Sequence, residues 1–541
     1  YNSEFMHRII LQIIGFFVLS IFGFAFKVSA QMQGTYTVNA AVATGGNNFQ
    51  SFTHLANALN ATNVIGAITV NVVANSGPYT EKFFLNNISG VSATNRITIN
   101  GNNNILQFNN DATDYRIVAF NGTKYVKLSN LTIKSLNANY GWGLHLYGGA
   151  QYDSIVNCTF SMESINIAQN QTSAGLVVSS STSLYDHVAS QTGGNNASDI
   201  YFGDNTIAGS TTSQAAIFNA IVLNGMLNAN NTLEGAHNII IKNNTIKNFF
   251  KSGISAFQCS NLFIEGNDIH RIDKNSIPIN EFVGIFASYC GGSKISNNRI
   301  HDPNGTGEAQ YNFSGIYINF MREDGSASPS YVTNNAIYNN KSFGGLQNYI
   351  RVFGNDSFYC YVLHNSISVK DNLSSLGGLN GIFLDYQTHN IYIQNNNIEI
   401  TGGSLGTKYG LQGNESFDIN KYKNNNIYVN STQTGVQYYS AYYFLNSFSN
   451  LIYPTFASAQ LDGMALGTTS VASNFVNAAT GNLLPTNAAL NQTGTFWVNN
   501  VPNDIVSANR NVLPTPGAWE MPSTANIDAV ASQVLGLDQL C

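Results

Sequence analysis

A short phrase, Asn-x-Ile or a close variant, punctuates the chain, and runs that alternate apolar with polar residues lead into it. It stands at Asn103, Asn130, Asn157, Asn205, Asn244, Asn267, Asn298, Asn335, Asn365, Asn396 and Asn425. Most successive asparagines are 23 to 31 residues apart, with gaps of 48, 39 and 37 where extra chain is inserted. Gly followed by Ile or Leu is a second phrase, upstream of the first. Gly143, Gly253 and Gly284 lie 14 residues before their Asn, Gly381 and Gly410 lie 15 before, and Gly315 and Gly345 lie 20 before. Alternating runs rich in β-branched residues, such as 315–319 and 391–395, are strand chemistry, and the Gly and Asn between them are turn chemistry. A repeat this short cannot bury an apolar face alone, so the pattern predicts an all-β parallel solenoid whose coils stack at about 4.8 Å. Inward Ile, Leu and Val form its core. Each phrase Asn is expected at a sharp corner, in left-handed backbone, with its amide bonded to the Asn one coil away.

On these residues the chain resembles the right-handed parallel β-helix, or pectate-lyase-like, superfamily, over roughly residues 95 to 430. That superfamily holds pectate-lyase-like enzymes, surface adhesins and phage tailspikes, so the resemblance implies a fold and leaves the activity open. Repeats are expected over 95–435. Residues 31–94 are expected to supply an N-terminal cap and first coils, with Phe52 to Leu59 as a short helix over the apolar end, and 436–541 the last coils and a C-terminal cap. Asp504-Ile505, Arg510 and Pro516-Gly517-Ala518-Trp519-Glu520 are similar to a closing element of secreted β-helix proteins of Bacteroidota, with Ser507 in place of the usual Gly and Trp519 in place of Tyr. Within residues 1–30, Tyr1 to Phe5 lie ahead of a start at Met6. Arg8, the apolar run from Ile9 to Phe26 and Val28-Ser29-Ala30 read as a secretory signal. A secreted or cell-surface protein follows, with no membrane span after cleavage.

Charge narrows the function. Lys and Arg number 23, Asp and Glu 29, and the net charge is −6. With no basic cluster, nucleic acid is excluded as a partner. Asn, at roughly one residue in seven, and Gly, at 48, fill the place of charge, as corner ladders require.

Outward positions two and four residues after each Gly give a column of His145, Tyr147, Phe257, Phe286, Tyr317, Asn319, Tyr349 and Phe383. Aromatic rings interleaved with amides suit a polysaccharide or cell-surface glycan, whose sugars offer C–H faces and hydroxyls. The alternative is that an inserted loop packs over those rings.

The scarce charges gather near 270–325. Lys274, Arg271 and Arg322 are candidate bases for a lyase, and Glu323 with Asp385 a candidate carboxylate pair for a hydrolase. Asp273, Asp302 and Asp324 are the candidate ligands for Ca²⁺, although no cofactor is required. His270 and His301 are expected to be ladder neighbours. Cys259 and Cys290 occupy equivalent places in adjacent coils, either bridged or as stacked thiols. Two functions remain: a glycan-binding adhesin or structural solenoid, and a polysaccharide lyase or glycoside hydrolase.

Overall fold

The computed structural model describes residues 30–523, apart from 167–168, 189–194, 213–214, 228–232, 235, 275–280, 306–308, 320–328, 344, 355–358, 372–377, 386–389, 403–405, 414–420, 432–437, 446–448, 454–466 and 498. The signal segment, Arg322, Glu323, Asp324 and Cys541 therefore lie outside the described residues.

Alternation in the sequence becomes three inward ladders. Ile254, Ile285, Ile316, Ile350 and Ile382 pair coil to coil in a 13-stranded sheet. Ile241, Ile264, Ile295, Val332, Val362 and Ile393 do so on one arm of a 24-stranded sheet. Ile246, Ile269, Ile300, Ile337, Ile367 and Ile398 do so on its other arm. All are buried in one continuous core, each contributing roughly 1.5–3 kcal/mol. Pairing between coils is parallel throughout, so the fold is a parallel β-solenoid. At its C-terminal end Tyr438–Leu445 and Ser449–Tyr453 pair antiparallel.

The two arms of the larger sheet meet at the Asn corner, where two residues divide the work assigned above to one. The left-handed backbone belongs to the residue before the ladder, at Asp204, Asn243, Gly266, Asn297, Asn334, His364, Asn395 and Asn424, with φ between 55° and 69°. The residue after it, at Asn205, Asn244, Asn267, Asn298, Asn335, Asn365, Asn396 and Asn425, is buried inside the corner. Each ladder amide donates to the Oδ1 of the next, for instance Asn267 to Asn298 and Asn298 to Asn335, both at 3.0 Å. The second amide hydrogen goes to a carbonyl of the preceding coil, as from Asn298 to Ile264 at 2.9 Å. Nearer the N-terminus, Asn130 and Asn157 hold the left-handed place themselves, and the thiol residue Cys158 stands where the ladder Asn would be, its N–H donating to Asn205 Oδ1.

Glycines of the second phrase allow close approach. A Cβ on Gly284 would lie 2.5 Å from the Gly315 carbonyl oxygen, and one on Gly315 would lie 2.5 Å from that of Tyr349. The coil position equivalent to Gly315 is thus Tyr349, not Gly345. Gly345 instead takes φ 75° in the turn before the strand Gln347–Phe353. Register shifts by four residues from the expected one, and Tyr317 pairs with Arg351.

Helix α1, Phe52–Ala61, closes the N-terminal end with Phe52, Leu55, Ala56 and Leu59 buried. Ser51 Oγ accepts from His54 N–H, and the Glu81 carboxylate accepts from Phe52 and Thr53 N–H at 2.9 and 2.8 Å. These acceptors satisfy the open donors of the first turn and place negative charge at the positive end of the helix.

Residues 467–523 return along the Asn-corner side of the 24-stranded sheet as a strap. Arg510 fastens it. Its buried guanidinium donates to Glu520 at 3.0 Å, to Asn334 Oδ1 at 2.7 Å and to the Gly517 carbonyl at 2.9 Å. Asp504 accepts from Val506, Ala508 and Glu520 N–H, and the Trp519 ring lies against the Arg299 guanidinium at 5.2 Å. The closing element is therefore a folded clasp onto the middle coils.

Candidate functional site

The outward face of the 13-stranded sheet is in two parts. Over the strand Gly141–Tyr147 it is covered. His145 is fully buried, stacked on Tyr147 at 4.4 Å, with Nε2 2.9 Å from Ser179 Oγ. The chain at 181–188, part of the insertion between Asn157 and Asn205, folds over this stretch, bringing His187 to Trp142 and Tyr185 to Tyr115. Burial without a compensating anion, with the Arg116 cation nearby, holds the His145 imidazole well below its usual pKa. His145 and Tyr147 are thus packing residues. Tyr349 also leaves the column, since it sits in the core against Phe313 at 5.1 Å.

From Ser255 to Asp385 the face is more open: its outward side chains are half-buried, with Phe257 exposed and Ser288 buried. Corrected register puts Ser255, Phe286, Tyr317, Arg351 and Phe383 in one outward column. Phe257, Ser288, Asn319, Phe353 and Asp385 form a second column beside it. Phe286 and Tyr317 are tilted rings 5.2 Å apart. The Arg351 guanidinium lies 4.5 Å from the Tyr317 ring centre and 5.9 Å from that of Phe383, so the rings and the cation make one continuous ladder. Asp385 holds Arg351 in place at 2.6 Å. A cleft of about 250 Å³ adjoins the ladder, lined by Phe218, Asn219, Ser255, Val283, Phe286 and Tyr317 among others. Lys251 and Glu281 form an ion pair across its rim at 3.7 Å. Partial burial, opposed by Arg351, raises the Tyr317 phenol above its usual pKa, so it is a neutral hydrogen-bonding group at any ordinary pH.

The other expected site residues lie elsewhere. Arg271 is wholly buried, its guanidinium between the rings of Phe249 and Phe282 at 5.1 and 4.9 Å, donating to the carbonyls of Phe250 and Pro303. Lys274 is buried with Nζ on the Ser210 carbonyl at 3.0 Å, and burial brings its pKa down to about 7. Both tie loops to the solenoid, and neither lines the cleft. Asp273 pairs with Lys247 at 2.8 Å, while Asp302 accepts from His301 at 2.7 Å. The two do not share an ion site. Cys259 and Cys290 are free thiols, each donating to a backbone carbonyl at 3.3 Å.

Arg351, Lys251 and Phe218 were not singled out by sequence. The first was findable: aligning Ile350 with Ile316, rather than Gly345 with Gly315, places Arg351 in the column.

No protein-family model and no curated relative matches the chain. Among solved structures it is similar to pectate lyase Pel9A, at 11% identity and TM-score 0.42 over 91% of this chain and 98% of that one. It is also similar to the GH136 lacto-N-biosidase from Eubacterium ramulus, at 11% identity and TM-score 0.40 over 75% and 67%. PfbA, a surface adhesin of Streptococcus pneumoniae, matches at 11% identity and TM-score 0.37 over 74% and 90%. Likeness at this level concerns the β-helix architecture alone. No helix among the described residues is long and apolar enough to cross a membrane.

Proposed function

We propose that this is a secreted or cell-surface solenoid that binds a polysaccharide, or a cell-surface glycan, along the open half of the 13-stranded sheet. The carrying observation is the ladder Phe286, Tyr317, Arg351 and Phe383, one side chain per coil, beside a cleft edged with amides, serines and an ion pair. Rings stack on the C–H faces of sugars, while Asn219, Ser252, Ser255 and the Tyr317 hydroxyl offer hydrogen bonds to their hydroxyls. Binding fits this face better than catalysis. Among the described residues its two carboxylates, Glu281 and Asp385, are each held by a cation, Lys251 and Arg351, and a glycosidase needs one carboxyl protonated and the other free to attack or activate water.

Retention of the purified chain on a panel of immobilised neutral and acidic polysaccharides tests this. Retention on at least one is expected, weakened about tenfold or more by Tyr317→Ala or Phe286→Ala, as for a central aromatic anchor. Phe496→Ala, an exposed ring on the strap, should leave it unchanged. Retention indifferent to Tyr317 and Phe286 would refute the site, and release of reducing ends or unsaturated sugars would replace binding by catalysis.

A further inference from the structure

The geometry points to a second site, for a divalent transition-metal ion of the Zn²⁺ type, on the opposite arm of the solenoid at Asp268, His270 and His301. Strand alternation builds it. Asp268 and His270 flank the inward Ile269, so both face out, and His301 is the direct partner of His270 one coil on. Their ligand atoms all lie within 4.8 Å of one another, the one such group of three among the described residues. Asp268 is the hub: one carboxylate oxygen is 2.7 Å from His301 Nε2 and the other 3.8 Å from His270 Nε2. Two imidazoles therefore turn the same nitrogen to one carboxylate. An ion at ligand distances of about 2.0–2.2 Å would sit among these three atoms after sub-ångström to ångström adjustments.

The surroundings match what such an ion requires. Asp302 accepts from His301 Nδ1 at 2.7 Å, the outer carboxylate that fixes a ligating histidine and leaves Nε2 for the metal. Stacking of His301 on His270 at 4.9 Å and on Tyr338 at 4.7 Å holds the rings upright. Two carboxylates beside two imidazoles suit a doubly charged cation, which would take the place of the Nε2 proton that His301 shares with Asp268 in the ion-free site. Of the neighbouring cations, Arg299 lines the same cavity, where it donates to the Gly481 carbonyl and packs on Trp519, and Lys247 pairs with Asp273. A cavity of about 510 Å³ under the strap, lined by Asp268, His301, Tyr338, Gly481 and Trp519, gives entry and room for a water ligand. Binding at His270 Nε2 moves that ring's proton to Nδ1, giving up one long hydrogen bond from Ile272 N–H at 3.3 Å. Two nitrogens and one carboxylate select a Zn²⁺-like ion over Ca²⁺, which takes six to eight oxygens. Coordination would pin consecutive coils beneath the strap.

Titration of the chelator-stripped full chain with Zn²⁺ by calorimetry, and with Co²⁺ by visible absorption, tests the site. One ion per chain is expected, with a four- or five-coordinate Co²⁺ spectrum and a higher Tm with Zn²⁺ but not with Ca²⁺. His270→Gln and Asp268→Asn should each lower affinity at least a hundredfold, and Asp302→Asn ten- to a hundredfold. Absence of saturable uptake, or uptake that survives His270→Gln and Asp268→Asn, would overturn the assignment. Should those variants fail to fold, proton NMR of the Co²⁺-loaded wild type decides. Two paramagnetically shifted imidazole N–H signals are expected, and none would overturn it.

Discussion

A buried asparagine is the residue on which this fold turns. Asn298 uses its whole amide: Oδ1 accepts from the backbone N–H and the side chain of Asn267, and Nδ2 donates to Asn335 and to Ile264. Removing it strands partners on both neighbouring coils, at roughly 1–3 kcal/mol for each buried group left unpaired. Asn298→Ala should therefore lower the denaturation midpoint strongly, whereas Asn430→Ala, at an exposed amide contact to the Tyr428 hydroxyl, should change it little. Equal midpoints for the two would contradict the ladder. The phrase was legible because this chemistry admits one side chain. Its coil-to-coil amide bonds are as expected, while the left-handed place falls one residue earlier over most coils, because Asn also favours left-handed backbone and two adjacent columns draw on the same amino acid for different reasons.

At the scale of elements, glycine carries the same ambiguity. Gly284 and Gly315 are required by close approach between coils, while Gly345 serves a turn at positive φ. Reading all as one column displaced the strand Gln347–Phe353 by four residues, hid Arg351 and put Tyr349 on the surface. Gly284→Ala should cost about 1–3 kcal/mol by overpacking, since its Cβ would meet Gly315 O at 2.5 Å and Ile300 Cγ2 at 2.7 Å. Gly45→Ala, with nothing within 4 Å, should be neutral in the same unfolding measurement. The strap was visible as a motif but its contacts were not, because they join residues such as Arg510 and Asn334, 176 positions apart. Arg510→Ala leaves Glu520 buried and unpaired, a loss of about 3–5 kcal/mol. The strap of that variant should be cut by protease well before the coils, and simultaneous cleavage of both would contradict a separate clasp.

For the whole molecule, coverage decides where function can lie. The insertion at 181–188 seals the face around His145, whereas from Ser255 to Asp385 the outward side chains of the same sheet are only half-buried. The repeat could show the column but not its cover, because inserted loops carry no periodicity. Sealing also has a consequence for stability. His145, His187 and His364 are buried neutral, with pKa values held below the ordinary 6.5, for His187 at about 4. The unfolded chain binds those protons at pH 6.5 and the folded chain does not, so stability present above pH 6.5 falls as the pH is lowered toward 5. Asp153, pushed up to about 7 by burial, and His301, raised against its burial to about 9 by Asp268 and Asp302, work in the opposite sense and offset part of this. Unfolding at pH 5 should thus take up protons, and a stability that rises as the pH falls from 6.5 to 5 would contradict these burials.

A glycan lying lengthwise on the ladder from Phe286 to Phe383, as proposed, ties affinity to chain length, and calorimetry with a length series of oligosaccharides from the retained polysaccharide measures that dependence. Affinity should climb with each added sugar until the ligand spans the four coils, then level off, with the climb shortened by Tyr317→Ala. A monosaccharide bound as tightly as the longer chains, or no binding at any length, would contradict it.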